Sequence, residues 1–257
     1  MIDLRLGDCL EVMKTIKDNS IDSIITDPPY GTTACKWDSV IDFKLMWEQL
    51  NRIIKPNGAI VLFGNEPFSS VLRVSNIKNY KYDWIWDKNK PTGMLNAKRQ
   101  PLRRFENVML FYKKQCTYNP QKTINPNGPE KRSLYAYSRE NEGGETTGEI
   151  KQGGVSSNYE ADKLLPVNIQ VFKKPNKPKH PTQKPLLLME YLIRTYTNDN
   201  ETVLDFTMGS GTTMVACKNL NRNGIGIEVD ENYFNIAIER VGEKRKEKEI
   251  EAPTLFN

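Results

Sequence analysis

The sequence predicts an α/β fold, a central and mostly parallel sheet with helices on both faces, carrying one inserted region. Three observations point there. Short apolar runs alternate with stretches of helical periodicity toward both ends of the chain, the pattern of strand–helix–strand units that builds a helix-covered parallel sheet. Two of the apolar runs stop abruptly in loops of special composition, Asp27-Pro28-Pro29-Tyr30 and Gly209-Ser210-Gly211. Between about 115 and 180 the alternation gives way to Asn, Pro, Gly, Ser and charge. So long a stretch without rhythm is uncommon inside a domain unless it is functional.

Leu4, Leu6 and Leu10 open the apolar pattern, and a short helix is predicted from Cys9 to Ile16. Ser20–Thr26 reads as a strand running into the first special loop. A helix is predicted from Phe43 to Ile54, with Phe43, Leu45, Met46, Trp47, Leu50, Ile53 and Ile54 as its apolar positions. Lys55-Pro56-Asn57-Gly58 ends it as a turn. Ala59–Phe63 is a buried-type strand, Glu66–Val74 a helix, and Tyr82–Trp86 and Asn107–Tyr112 are further strands. After the irregular region, Pro185 begins a helix through Thr195. Glu201–Asp205 is a strand, Thr212–Asn219 a helix, Gly224–Glu228 a strand and Asn232–Arg245 a helix. The predicted organisation is a first half at 1–114, an insertion at 115–178, a second half of the same domain at 179–246 and a frayed tail at 247–257.

A chain of 257 residues can bury a substantial core. No apolar run approaches the roughly 18 residues of a membrane span, and the opening MIDLRLGDCL lacks the pattern of a secretory signal; a cytoplasmic location is expected. Cys9, Cys35, Cys116 and Cys217 lie far apart and form no C-x-x-C pair. That pattern argues against a disulfide framework and against a structural zinc site. His180 is the single histidine, so multi-histidine metal sites are excluded and no metal is expected. The net charge of +5 is concentrated in the middle: residues 81–132 carry 12 basic and 4 acidic side chains, while residues 1–80 carry 9 and 10. Trp84, Trp86, Phe105, Tyr112 and Tyr118 lie in or beside that basic stretch. Either it is a solvated face, or it is a surface that tracks phosphates and contacts bases.

In the second loop, strand 201–205 runs through Phe206, Thr207 and Met208 into Gly209-Ser210-Gly211 and then a helix starting at Thr212. Glycines permit a tight turn and close approach of backbone to ligand, and a helix N-terminus offers unpaired N–H groups to an anion. Glu228 follows about 20 residues later at the end of the next strand, where an acid accepts from ribose hydroxyls. The loop lacks the Gly-Lys-Ser/Thr ending of a Walker motif. In the first loop, two prolines fix φ and remove two N–H donors. What remains is a stiff presentation of acceptors, the Asp27 carboxylate and the Pro28 carbonyl, beside the Tyr30 ring. An acceptor-only pair next to an aromatic suits a flat ligand bearing an NH₂ group.

These motifs, with His180-Pro181-Thr182-Gln183-Lys184-Pro185 opening a helix just before the glycine loop, resemble the S-adenosylmethionine-dependent DNA amino-methyltransferases in which the catalytic tetrapeptide precedes the cofactor loop (the beta group). Gly7-Asp8 and the run Arg103–Lys113 match as well. The resemblance implies a Rossmann-like methyltransferase fold and places a target-recognition region at 115–178. One departure stands out: relatives commonly have Asp-Pro-Phe before Gly-Ser-Gly, whereas this chain has Asp205-Phe206-Thr207.

The resemblance further implies that Asp27 and the Pro28 carbonyl accept the two N–H groups of an exocyclic amine, with Pro29 stiffening the loop and Tyr30 stacking on a flipped-out base. It assigns Glu228 to the ribose of S-adenosylmethionine and Asp8 to its adenine amine, with Cys9 lining the adenine pocket. Asp205, Phe206, Gly209, Ser210, Gly211 and Thr212 are assigned to the rest of the cofactor, which leaves as S-adenosylhomocysteine. Lys184 is either a ligand of the cofactor carboxylate or a solvated cap of its helix; His180 is positional. Lys98, Arg99, Arg103 and Arg104 are the expected phosphate contacts. DNA is the expected partner, and a homodimer or a cognate restriction endonuclease remain open. The expected product is N6-methyladenine, because relatives acting on cytosine N4 more often carry Ser in place of Asp27. Cytosine N4 is the alternative, and methylation of RNA or protein glutamine, or a catalytically silent nucleic-acid binder, stand further off.

Overall fold

The computed structural model describes residues 1–31, 39–126, 135–136, 151–152, 162–176 and 178–242. Cys35, the glycine pairs at 143–144 and 153–154, and the tail at 247–257 lie outside the described residues. In chain order the larger unit contains β1 (Ile2–Leu6), α1 (Cys9–Met13), β2 (Ile21–Thr26), α2 (Phe43–Ile53), β3 (Ile54–Gly64), α3 (Phe68–Ser75), β4 (Tyr80–Thr92) and β5 (Arg103–Phe111). Residues 120–166 form a separate compact unit with two small antiparallel ladders. In these, β6 (Thr123–Ile124) pairs with β9 (Lys163–Leu164), and β7 (Tyr135–Ala136) with β8 (Lys151–Gln152). The larger unit resumes with β10 (Ile169–Val171), α4 (Leu186–Tyr196), β11 (Thr202–Asp205), α5 (Thr212–Asn219), β12 (Asn223–Glu228) and α6 (Glu231–Gly242).

Its sheet has the order β1-β12-β11-β2-β3-β5-β4-β10. Every neighbouring pair is parallel except the two that involve β5. Successive residues of a strand face opposite sides, and the core divides accordingly. Ile24, Ile60, Leu62, Met109, Phe111 and Leu204 pack under α1, α2 and α3. Their neighbours Ile25, Val61, Phe63, Val108, Leu110 and Val203 pack under α4, α5 and α6. Between β11 and β2 the chain direction across the sheet reverses, since β2 leads on to β3 on one side and β11 to β12 on the other. Such a switch point leaves a crevice outside the carboxyl ends of the strands.

The structure departs from the sequence reading in three places. The helix does end before Lys55–Gly58, but these residues are not a free turn; they lie within β3 as a bulge, where the register steps from Ile21↔Ile54 to Ser23↔Ala59, so five residues of β3 cover two of β2. The separate unit is shorter than the irregular stretch 115–178, because Cys116 is buried in the larger core and Ile169–Val171 joins the sheet edge beside β4. Trp84 and Trp86 are not surface aromatics. The period of two along β4 turns both inward, where their Nε1 atoms donate to Tyr196 Oη at 2.5 Å and the Phe172 carbonyl at 2.8 Å.

Candidate active site

A cavity of about 500 Å³ lies at that switch point, lined by residues that follow β1, β2, β11 and β12. Each strand delivers its loop there: Gly7 to Cys9 after β1, Asp27 to Tyr30 after β2, Phe206 to Ser210 after β11, and Glu228 itself at the end of β12. Pro178 and His180 to Lys184 form another wall. Residues as far apart in sequence as Gly7 and Glu228, 221 positions, thus meet because parallel strands all end on the same edge.

On the β2 side, both carboxylate oxygens of Asp27 are already engaged. Tyr30 Oη donates to Oδ1, and Lys184 Nζ lies 2.5 Å from Oδ2. A carboxylate offers about four acceptor positions, so capacity remains for an incoming N–H. Burial pushes the Asp27 carboxyl above its ordinary value; Lys184 opposes this and Glu106 adds to it. The Tyr30 ring packs at 4.9 Å from Phe68, tilted by 37°. Thr207 ties this loop to the other half: its Oγ1 donates to the Asp27 carbonyl at 3.1 Å and lies 2.7 Å from Thr26 Oγ1.

On the other side, Glu228 is fixed by backbone. Its Oε2 accepts from Gly209 N at 2.8 Å, and its Oε1 from Val229 N and Asp230 N at 3.0 and 2.9 Å. Burial raises its carboxyl against the pull of these amides. Gly209 has φ +52°, a conformation that L side chains rarely adopt, and the His180 ring sits across from it. His180 is neutral at physiological pH: burial, helped by Lys184, holds it down at about 4, and its Nδ1 accepts from Thr182 N at 3.2 Å. Its ring meets Tyr233 edge-on at 4.1 Å. Arg240 closes the loop from α6, donating to Ser210 Oγ and Thr212 Oγ1 at 2.8 and 3.1 Å. Cys9 lines the cavity as a thiol, its pKa pushed up to about 12 mainly by burial.

Several assignments made from sequence take a different form. Lys184 is neither solvated nor a helix cap. It is buried between Asp27 and Glu106, at 2.5 and 3.1 Å, and Pro185 provides no side-chain cap. Asp205 lines the cavity, and its carboxylate accepts from Thr26 Oγ1 at 2.5 Å, from Thr213 Oγ1 and from Thr207 N at 3.2 Å. Gly211 (φ +75°) backs onto α6, where an added Cβ would meet the Ala237 Cβ at 2.8 Å; it is absent from the cavity wall. Asp8 lines the cavity while its Oδ1 caps α1 through Leu10 N and Glu11 N. Phe206 is buried in the core and lines the cavity. Thr207 and Glu106 line the cavity, backed by Lys88 and Arg240, and the sequence reading missed all four; a threonine where relatives carry an aromatic was the one available signal.

The proposed phosphate contacts lie on the β4–β5 hairpin. β4 runs parallel to β3, so the hairpin leaves the sheet on the cavity's edge, and Trp86 and Glu106, paired across it, line the cavity. Lys98, Arg99, Arg103 and Arg104 are exposed. Arg104 Nε is held by Asp87 Oδ1 at 2.8 Å. Phe105 is 52% exposed, and Met94 and Leu95 at the tip are 69% and 101% exposed.

Comparison with known proteins agrees with this geometry. A family model described as DNA methylase matches residues 21–239. The type II methyltransferase M.HpaI of Haemophilus parainfluenzae is 31% identical over 93% of this chain and 74% of its own length. M1.MboII of Moraxella bovis is 30% identical over 89% and 92%. The crystal structure of the M1.HpyAVI–SAM complex aligns with 95% of this chain and all of its own at 31% identity and a TM-score of 0.63. The cytosine-N4-specific PvuII methyltransferase, 15% identical with a TM-score of 0.65 over 96% of this chain and 88% of its own, shares the fold. The chain therefore belongs to the DNA methylase family, and it is an S-adenosylmethionine-dependent DNA methyltransferase.

Proposed function

We propose that the enzyme methylates the exocyclic N6 of adenine in DNA, with Asp27 and the Pro28 carbonyl as acceptors of the amine and Glu228 as the anchor of the cofactor. The observation that carries this reading is the meeting of the two loops on one cavity, with Thr207 bonded to the Asp27 carbonyl while Gly209, two residues on, is bonded to Glu228. The cavity suits the cofactor. A backbone at Gly209 without Cβ allows close approach, and the carboxylate of Glu228, with three amide bonds taken of about four acceptor positions, retains capacity for a hydroxyl. When bound, S-adenosylmethionine supplies a methyl group already activated by its sulfonium.

The work left to the protein is positioning and charge. The amine of adenine is a poor nucleophile because its lone pair is delocalised into the ring. Accepting its two N–H groups at Asp27 Oδ and the Pro28 carbonyl draws the nitrogen toward tetrahedral geometry and frees the lone pair. Tyr30, braced by Phe68, stacks on the flipped base. Holding both reactants in line supplies much of the rate. A carboxylate is a stronger acceptor than a hydroxyl, which favours adenine over cytosine in a family named for both N6 and N4 chemistry.

The reading extends to the surroundings. The β4–β5 hairpin contacts phosphates, and the unit at 120–166, within the 115–178 stretch, reads the target sequence. The enzyme works in the cytoplasm, with a homodimer and a cognate restriction endonuclease as further partners to test. Calorimetric titration of S-adenosylmethionine into two variants separates the roles. Asp27→Ala is expected to bind like wild type and transfer no methyl. Glu228→Ala is expected to lose about 1.5–3 kcal/mol of affinity, the usual worth of a bond to a charged acceptor. Equal loss of affinity in both would refute the division.

A further inference from the structure

Behind Asp27 lies a buried chain of alternating charge that the chemistry above does not use. Lys184 Nζ sits 2.5 Å from Asp27 Oδ2 and 3.1 Å from Glu106 Oε2, and Lys88 Nζ sits 3.3 Å from Glu106 Oε1. Lys184, Glu106 and Lys88 are each at most 8% exposed. Two acids and two lysines alternate, so the set is neutral as a whole while every member touches an opposite charge. Lys184 also rests over the rings of Phe63 at 5.0 Å and Trp86 at 5.8 Å. That floor of aromatic faces favours a cation and gives it no water.

We propose that Lys184, seated by Glu106 and Lys88, is a positioning residue that keeps the Asp27 carboxylate ionised and aimed at the amine. The proposal rests on the reading of Asp27 as amine acceptor. A protonated Asp27 has lost acceptor capacity, and burial favours that form. Among the described residues, the groups facing Asp27 are Lys184, the Tyr30 hydroxyl, Glu106 and Asp205. Of these only Lys184 carries positive charge. Glu106 acts on Asp27 in the opposite sense, yet it is the group that holds Lys184 in place. Lys174 and Lys88 face Glu106, and His180 faces Lys184 as a neutral ring. Lys184 itself is held charged by its two carboxylates against the effect of burial.

The test is the pH dependence of single-turnover methyl transfer in the full-length enzyme on duplex DNA, alongside calorimetric S-adenosylmethionine affinity and thermal melting. In Lys184→Met the acid limb of the profile is expected to move up by about one pH unit or more, with activity recovering at high pH and cofactor Kd within twofold of wild type. Lys184→Arg is expected to return the limb toward the wild-type position. Glu106→Gln removes a negative charge beside Asp27, so its limb is expected to move down, with a lower plateau as Lys184 loses its seat. A Lys184→Met enzyme slowed by the same factor at every pH overturns the proposal, as does a large loss of cofactor affinity. A Glu106→Gln limb that moves up overturns the role given to Glu106. If Asp27→Ala transfers methyl at the wild-type rate, the reading of the site falls and the proposal with it.

Discussion

Asp205 and Glu228 both end a strand on the cavity's edge, and one-dimensional reasoning gives them the same work. Their partners separate them. Asp205 receives hydroxyls from Thr26 and Thr213 and the amide of Thr207, while among the described residues Glu228 receives the amides of its own loop and of Gly209. Asp205 therefore joins segments, and burial holds its pKa at about 6. A carboxyl raised in the folded state stabilises the fold below its unfolded value of about 3.9, and that contribution is lost as pH rises through about 6. Asp205→Asn keeps an acceptor oxygen and removes the titration. Its melting temperature relative to wild type is expected to rise between pH 4 and pH 7, by the equivalent of roughly 2–3 kcal/mol. A difference that stays constant over that range would show that Asp205 carries no such shift. Thr207→Val tests the other tie of this loop. Loss of the bond to the Asp27 carbonyl is expected to lower kcat by about tenfold, the equivalent of a hydrogen bond of ~1.4 kcal/mol, with cofactor Kd little changed. A changed Kd with unchanged kcat would assign Thr207 to the cofactor.

At the scale of elements, the glycine loop divides between two duties. Gly209 faces the cavity and Gly211 faces α6. Gly211→Ala adds strain at φ +75° and a contact too close to Ala237, so stability is expected to fall by about 1–3 kcal/mol. Chemical denaturation of the variant measures it; a loss under 0.5 kcal/mol, on the order of a neutral surface change, would mean that α6 yields without cost. The β4–β5 hairpin divides its arginines in the same manner. Arg104 is bound to Asp87, whereas Arg103 is exposed without an ion pair among the described contacts. Arg103→Ala is expected to reduce the slope of log K against log[salt] for DNA by about one, and Arg104→Ala by less. Equal slopes in wild type and both variants would move the phosphate track away from the hairpin.

For the molecule as a whole, the strands and helices around the two loops were legible because apolar periodicity and turn chemistry agree there. Thr212–Asn219 emerges with the bounds read from sequence, and Phe43–Ile53 differs by one residue. Legibility fails where tertiary context overrides composition. Trp84 and Trp86 sit in a basic stretch, and only the alternation of a thirteen-residue strand shows that they face inward. Lys184 reads as a cofactor ligand or a solvated helix cap, and its place between two carboxylates is hidden because they lie 157 and 78 positions away. The tetrapeptide and the glycine loop were recognisable as separate motifs. Their joining through Thr207 depends on β2 and β11 being neighbours, which no local pattern records. The reaction proposed for these joined loops is methylation of an amine held by Asp27. Its most direct measurement is nucleoside mass spectrometry of mixed-sequence, unmethylated DNA after incubation with enzyme and labelled S-adenosylmethionine, beside the Asp27→Ala variant. The label is expected in N6-methyladenine with wild type and nowhere with the variant; label in N4-methylcytosine alone, or N6-methyladenine formed equally by the variant, would contradict it.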